Sequence, residues 1–277
     1  MITAVASGKG GTGKTTVAVN LALCLGEIQL LDCDVEEPNA HLFLNPVIEE
    51  KKPVEVLIPL INEELCVRCG KCAEFCQYNA LAVTKELVMF FPELCHSCGG
   101  CAIVCPNNAI SEGKRTTGVV EVGGKDKIRF VHGILEVGEA MASPVISEVK
   151  KQINKDVDAI LDVPPGTSCA VIESVRDSDY CILVTEPTPF GLNDLKLAVN
   201  MLREMKIPHG VIVNRAGIGD GRVQEYCDKE GIRLLMEIPH DEQIAALYSN
   251  GIAFVERMPE YEKKFRQVYE VIKKEVG

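Results

Sequence analysis

The chain has 277 residues, 47% of them hydrophobic and 25% charged, with a formal charge of −11 at pH 7. A chain of that length buries a sizeable core without cross-links, and its acidity argues against a non-specific grip on nucleic acid, which needs clustered cations. No run of eighteen apolar residues occurs, so no membrane span is expected.

Taken from the N-terminus, Met1-Ile2-Thr3 leads into a glycine loop with no basic region or cleavage site, which predicts a cytoplasmic protein. Ile2–Ala6 reads as a strand, Gly8–Thr15 as a loop, Thr15–Leu25 as a helix and Ile28–Leu31 as a second strand. Residues 62–112 break this rhythm with close-set cysteines and no long helical period. Residues 113–140, rich in glycine and charge, read as a hairpin. Helices are then expected at Pro144–Asn154, Asn193–Glu204, Arg222–Glu230 and Glu242–Ser249. Strands are expected at Ala159–Val163, Tyr180–Val184, Gly210–Val213 and Leu234–Ile238. Buried strands alternating with helices predict an α/β fold, a mostly parallel sheet covered by helices on both faces. Residues 1–61 and 113–277 form one discontinuous domain in this reading, and 62–112 a small inserted α+β domain.

Gly8-Lys9-Gly10-Gly11-Thr12-Gly13-Lys14-Thr15 satisfies the phosphate-loop pattern G-x-x-x-x-G-K-[ST] between a strand and a helix. The amides of Gly10, Gly11, Thr12, Gly13, Lys14, Thr15 and Thr16 can wrap phosphate oxygens, aided by the helix N-terminus. Lys14 would reach the β- and γ-phosphates of ATP, and the Thr15 hydroxyl would ligate Mg²⁺.

Eight of the 13 cysteines lie between positions 66 and 105. In a reducing compartment such density points to metal rather than to disulfides. Cys66-x2-Cys69-x2-Cys72-x3-Cys76 and Cys95-x2-Cys98-x2-Cys101-x3-Cys105-Pro106 carry the spacing of bacterial ferredoxins, in which the fourth ligand of each run serves the other cluster. One [4Fe–4S] cluster is thus expected on Cys66, Cys69, Cys72 and Cys105, and a second on Cys95, Cys98, Cys101 and Cys76. Leu65–Leu81 and Leu94–Ile110 align without gaps as an internal repeat, which predicts two half-modules paired about a pseudo-twofold axis. Gln77 replaces the proline that normally follows the last cysteine of a run and is read as tolerated. Cys24, Cys33, Cys169, Cys181 and Cys227 lack ligand spacing and read as core, His96 as solvated.

The loop Gly-Lys-Gly-Gly-Thr-Gly-Lys-Thr, with its extra lysine, resembles the deviant Walker A of the MinD/ParA/Mrp and nitrogenase-iron-protein family. The likeness extends to Leu30-Leu31-Asp32-Cys33-Asp34, to Ile160-Leu161-Asp162-Val163-Pro164-Pro165-Gly166 and to Val211-Ile212-Val213-Asn214-Arg215, about 220 residues in all outside the insert. The resemblance implies an ATPase that dimerises over MgATP, with Lys9 reaching the partner's nucleotide and Asp34 orienting the attacking water. It also implies that Asp32 lies near the magnesium, that Asp162 holds Mg²⁺ through water and that Asn214 reads the adenine. Glu36-Glu37-Pro38-Asn39 is a more acidic switch than many relatives carry. These positions and Glu186 all follow strand candidates, at the sheet edge where ligands gather. The run from Pro259 resembles the MinD membrane-targeting helix in position only and reads as a helix packed on the sheet.

Family members with an inserted ferredoxin module imply three purposes: ATP-gated electron transfer to a partner protein, iron–sulfur cluster carriage or assembly, and a spatial switch with redox-sensing clusters. Fully cysteine-ligated clusters are usually retained, which favours the first. No basic patch or amphipathic anchor supports the third.

Overall fold

In the computed structural model, which describes residues 1–277, the period-2 alternation of the short strands sorts side chains onto two sheet faces. In β1 (Ile2–Ala6), Ala4 and Ala6 point into one core and Val5 into the other; in β2 (Ile28–Asp32), Leu31 and Leu30 divide the same way. Helix α1 (Lys14–Leu25) follows β1, and α2 (Ala40–Leu44) follows β2. The next strand, β3 (Val47–Ile61), leads out to α3 (Lys71–Phe75), β4 (Leu81–Val83), β5 (Val88–Phe90) and α4 (Gly100–Ile103). The chain returns through β6 (Ile110–Lys125) and β7 (Ile128–Leu135).

The remaining elements alternate: α5 (Ser143–Lys151), β8 (Ala159–Asp162), α6 (Cys169–Val175), β9 (Tyr180–Thr185), α7 (Pro189–Glu204), β10 (His209–Ala216), α8 (Arg222–Glu230), β11 (Arg233–Pro239), α9 (Glu242–Ser249) and α10 (Glu260–Val276). The main sheet has nine strands in the order β11-β10-β9-β1-β8-β2-β7-β6-β3. Its pairs from β11 to β7 are parallel, and β7–β6 and β6–β3 are antiparallel. Helices α5, α6, α7 and α8 contribute to the core on one face and α1, α2 and α10 to the core on the other. Tyr261, Phe265, Val268, Tyr269 and Ile272 form the buried stripe of α10, so the run after Pro259 is a helix packed on the sheet, as expected.

Three elements depart from the sequence reading. Helix α7 begins at Pro189 rather than Asn193, because the Thr188 side chain accepts the Gly191 N–H and proline suits the first turn. Helix α5 stops at Lys151, three residues short of the expected end. The hairpin at 113–140 exists, but β6 runs 16 residues and pairs with a 15-residue β3 that the sequence did not suggest. In register, Val54 opposes Gly118 and Gly118 opposes Leu135, the last residue of β7. Beyond that rung Glu55–Ile61 and Ile110–Thr117 continue as a two-stranded ribbon, roughly 23 Å past the carboxyl edge of the parallel sheet. Residues 62–109 hang from its far end, where Ile61 opposes Ile110.

Arg115 braces this ribbon. Its guanidinium pairs with Glu139 in the loop after β7 and donates to the Pro92 carbonyl at 3.4 Å. One residue thereby ties the outlying segment to the edge of the main sheet.

Candidate functional site

Two regions of this scaffold carry chemistry. The first is an open cleft of about 1270 Å³ at the carboxyl edge of the sheet. Gly10, Gly11, Gly13, Lys14, Thr15 and Thr16 line one side, Asp34 and Asn39 a second, and Asn214, His240, Asp241 and Tyr248 the far end. Parallel strands bring these segments together because β1, β2 and β10 all end at this edge.

The loop is held by side-chain contacts. Gly13, at φ 96°, starts α1 from the left-handed region, and the Asn214 Nδ2 donates to the Thr12 carbonyl at 2.8 Å. A Cβ on Gly13 would lie 2.4 Å from that nitrogen. Gly13→Ala is therefore expected to break the contact and strain the loop, costing about 2–3 kcal/mol. Calorimetry should show the loss as a lower Tm, and titration with MgADP as binding at least tenfold weaker. Asn214, expected to read adenine, lines the cleft, and one of its amide protons is committed to the loop.

The acids of the site differ in their partners. Asp32 is fully buried and accepts three backbone N–H bonds, from Asp34, Asn39 and Ala40, each at 3.0 Å. It thus pins the turn that carries Asp34. Burial pushes its carboxyl up to about 7 despite those donors. Asp162 faces Asp32 across the β8–β2 pair and is equally buried, yet neither of its oxygens has a hydrogen-bond partner within 3.5 Å. Burial, then the charge of Asp32, raises it well above the usual carboxylate range, with the Thr15 side chain near enough to oppose the shift. A buried carboxylate without a partner beside a hydroxyl is a fit for Mg²⁺, which takes few protein ligands and completes its shell with water and phosphate. Asp34 is raised by burial, against the nearby Lys14.

The row continues beyond the acids. Asp162, Asp32, His132, Glu121 and Lys51 oppose one another in sequence across β8, β2, β7, β6 and β3. The His132 Nε2 lies 2.9 Å from Glu121, Lys51 bonds the same carboxylate at 2.6 Å, and the His41 ring from α2 sits 5.3 Å from that of His132. Burial pushes Glu121 up, but the Lys51 and His132 contacts outweigh it and hold it low. Polar contacts thus join His132, Glu121 and Lys51, with the His41 ring of α2 packed beside His132.

Lys9 is not among the cleft residues. Its ammonium pairs at 3.0 Å with Glu186, which Arg215 also contacts at 2.5 Å. The sequence located Glu186 at the ligand edge but gave no hint that Lys9 or Arg215 pairs with it. Nor did it single out His240 and Asp241, although their place just after β11 at the same edge was a usable signal.

The second region is residues 62–109, whose backbone repeats as the sequence does. Left-handed φ angles recur at Arg68 and Ser97, Gly70 and Gly99, and Asn79 and Asn108. The amides of Ala73 and Ala102 bond Gly70 and Gly99, and those of Asn79 and Asn108 bond Cys76 and Cys105. Two small apolar cavities result. One, about 390 Å³, is lined by Cys66, Cys69, Cys72 and Cys105; the other, about 520 Å³, by Cys76, Cys95, Cys98 and Cys101. No three His, Cys, Asp or Glu side chains are grouped closely enough to hold a metal ion. Four thiols thus line each apolar cavity.

His96 is exposed, and it also stacks on Tyr78 with centroids 3.6 Å apart at the rim of the larger cavity. Gln77 is exposed, its amide turned to the Phe75 carbonyl at 3.5 Å. Of the five scattered cysteines, Cys24, Cys33, Cys181 and Cys227 are buried, but Cys169 is exposed, because it opens α6 on the solvent side of the loop after Asp162.

Comparison with known proteins agrees with this architecture. Residues 3–254 match the CobQ/CobB/MinD/ParA nucleotide-binding domain. An uncharacterised protein of Methanocaldococcus jannaschii is 32% identical over 98% of this chain and 95% of its own length. An iron–sulfur cluster carrier protein of Pyrococcus horikoshii is 27% identical over 91% of this chain and 78% of its own. The solved structure of the septum site-determining protein MinD of P. horikoshii with Mg-ADP shares the fold, with a TM-score of 0.60 at 20% identity over 100% of this chain and 97% of its own. The chain belongs to the CobQ/CobB/MinD/ParA family of nucleotide-binding proteins.

Proposed function

We propose that the chain is a MgATP-hydrolysing switch whose cysteine module holds two resident [4Fe–4S] clusters, with nucleotide state gating electron transfer to a partner protein. The observation that carries this is the crosswise closure of the two cavities. Each is completed by a cysteine from the other run, so each cluster would be fully ligated from within the chain. Bound Mg²⁺ would spread the charge developing on the phosphates, and the clusters would supply one-electron chemistry.

The chain's own residues do the rest. The amides of Gly10–Thr16 cradle the triphosphate and Lys14 neutralises its end. Thr15 and Asp162 hold the metal, and Asp34, set by the Asp32 turn, orients the attacking water. Lys9 acts on the nucleotide of a second copy of the chain.

The cysteine cavities stand on the order of 30 Å from the phosphate loop, four strands across and beyond the edge. Coupling then runs through structure rather than through contact with nucleotide. The strand register that sets Asp32 beside His132, the His132–Glu121–Lys51 contacts and the Arg115 brace support such a path. In anaerobic protein with about eight irons, MgATP is expected to change the rate at which reduced clusters pass electrons to an acceptor, relative to MgADP. Equal rates in the two states would sink the gating.

A second reading, cluster carriage, is favoured by the relatives named iron–sulfur cluster carriers. Incubation with an iron-free acceptor protein separates the two. Iron that stays with this chain through many turnovers supports electron transfer, and iron that moves supports carriage.

A further inference from the structure

Lys9 has a docking place in its own protomer. Its ammonium lies 3.0 Å from the Glu186 Oε2, while the Arg215 guanidinium lies 2.5 Å from the Oε1 of the same carboxylate. The Glu186 side chain is 8% exposed, those of Lys9 and Arg215 34% and 50%. One nearly buried carboxylate therefore holds two partly exposed cations.

The loop backbone around Lys9 is fixed. The Ser7 hydroxyl donates to the Lys9 carbonyl at 2.6 Å, and Gly8 is pressed so closely on α7 that a Cβ there would lie 2.2 Å from the Asp194 carbonyl oxygen. The Lys9 side chain is the part free to move. Arg215 is fixed to the same loop, since its N–H donates at 2.9 Å to the Asn214 Oδ1, and Asn214 in turn holds Thr12.

We propose that Glu186 is a positioning residue that parks Lys9 in the free protomer and releases it to the triphosphate of a second copy, with Arg215 remaining as the partner of Glu186. The proposal rests on the reading of Lys9 given above. A buried carboxylate stripped of its one cation would be costly. Here a second cation stays in place, so Lys9 leaves at the modest cost of a part-exposed ion pair. Arg215 sets how firmly Lys9 is held.

The test follows MgATP-dependent dimerisation of the full cluster-loaded chain by sedimentation, together with ATP turnover below the dimerisation midpoint. Glu186→Gln keeps the shape and weakens the hold on Lys9. The midpoint is expected to fall to about one fifth of the wild-type protein concentration, and turnover at low concentration to rise about fivefold. Arg215→Ala leaves Lys9 as the sole cation of Glu186, so its midpoint is expected to rise. In a Lys9→Ala background Glu186→Gln should change nothing, which a merely structural role would not predict.

An unchanged or raised midpoint in Glu186→Gln, or the same fall without Lys9, overturns the proposal. MgADP affinity within twofold of wild type shows that each variant is folded; if Glu186→Gln fails that check, the direction of the Arg215→Ala shift decides. A wild-type chain that forms no MgATP-dependent dimer overturns the underlying reading of Lys9 itself, a result distinct from a dimer that ignores Glu186.

Discussion

Replacing Cys76 with alanine is expected to remove about four irons from a protein that otherwise holds about eight. The loss should fall on the cavity of Cys95, Cys98 and Cys101, although Cys76 lies in the other run. The reason is geometric. The turn at Gly70 starts α3, which carries Cys72, and Cys76 emerges at the end of that helix against the facing half-module. Cys105 makes the equivalent crossing just after α4. Alanine is the informative replacement, since a serine oxygen could still bind iron. Pairs of substitutions make the assignment sharp. Cys76→Ala with Cys98→Ala removes two ligands of one cavity and should lose no more iron than either alone, whereas Cys76→Ala with Cys69→Ala should lose all of it. The reverse pattern in anaerobic iron analysis would sink the crosswise assignment. The nucleotide-binding part should survive all these variants, because both core clusters lie almost entirely in the main sheet and its helices.

What the sequence disclosed follows from how each part is stabilised. The central strands β1, β2, β8, β9 and β10 have cores buried on both faces, so each carries a short apolar run, broken in β2 only by the buried Gln29. The phosphate loop is legible because its backbone conformation demands glycine at a fixed position, as at Gly13. The two cysteine cavities are legible because one cysteine spacing occurs twice, at an offset that the backbone turns repeat. Strand β3 is a different case. It is the edge strand of the sheet, and its inner half carries the exposed Glu49, Glu50 and Lys51, so an alternation of burial resumes only from Val54 onwards and the strand's start is hidden in a charged run. The Lys9–Glu186 contact joins residues 177 positions apart through the β1–β9 pairing, and no local pattern encodes it. Cys169 was misjudged because exposure at a helix start depends on how the preceding loop is directed.

Asp162→Asn should produce two opposite effects in one variant. The carboxylate is buried with no hydrogen-bond partner and faces Asp32, so the metal-free fold bears the cost of its charge. An uncharged amide of the same shape relieves that cost by about 1–3 kcal/mol near pH 8, which for a chain of this size is several degrees of Tm. The pH dependence has a definite sign. Burial raises both carboxyls in the folded state, Asp32 to about 7, above an unfolded value of about 4. At these two groups the folded chain binds more protons than the unfolded one, so the stability they contribute is greatest below about pH 4 and falls as pH rises towards 7. In Asp162→Asn one titrating group is gone and Asp32 has lost its like-charged neighbour, so the fall should be shallower. Mg²⁺ with ADP should offset the loss in the wild-type chain by neutralising Asp162, and should do so much less in the variant. ATP turnover should drop about a hundredfold or more, because the proposed Mg²⁺ site loses the buried carboxylate that would hold the ion. Thermal unfolding from pH 5 to pH 8, with and without MgADP, reads the first effect, and phosphate release reads the second. A variant less stable than wild type at pH 8, with an unchanged pH slope, would mean that Asp162 is not the unpaired charge at the heart of the site.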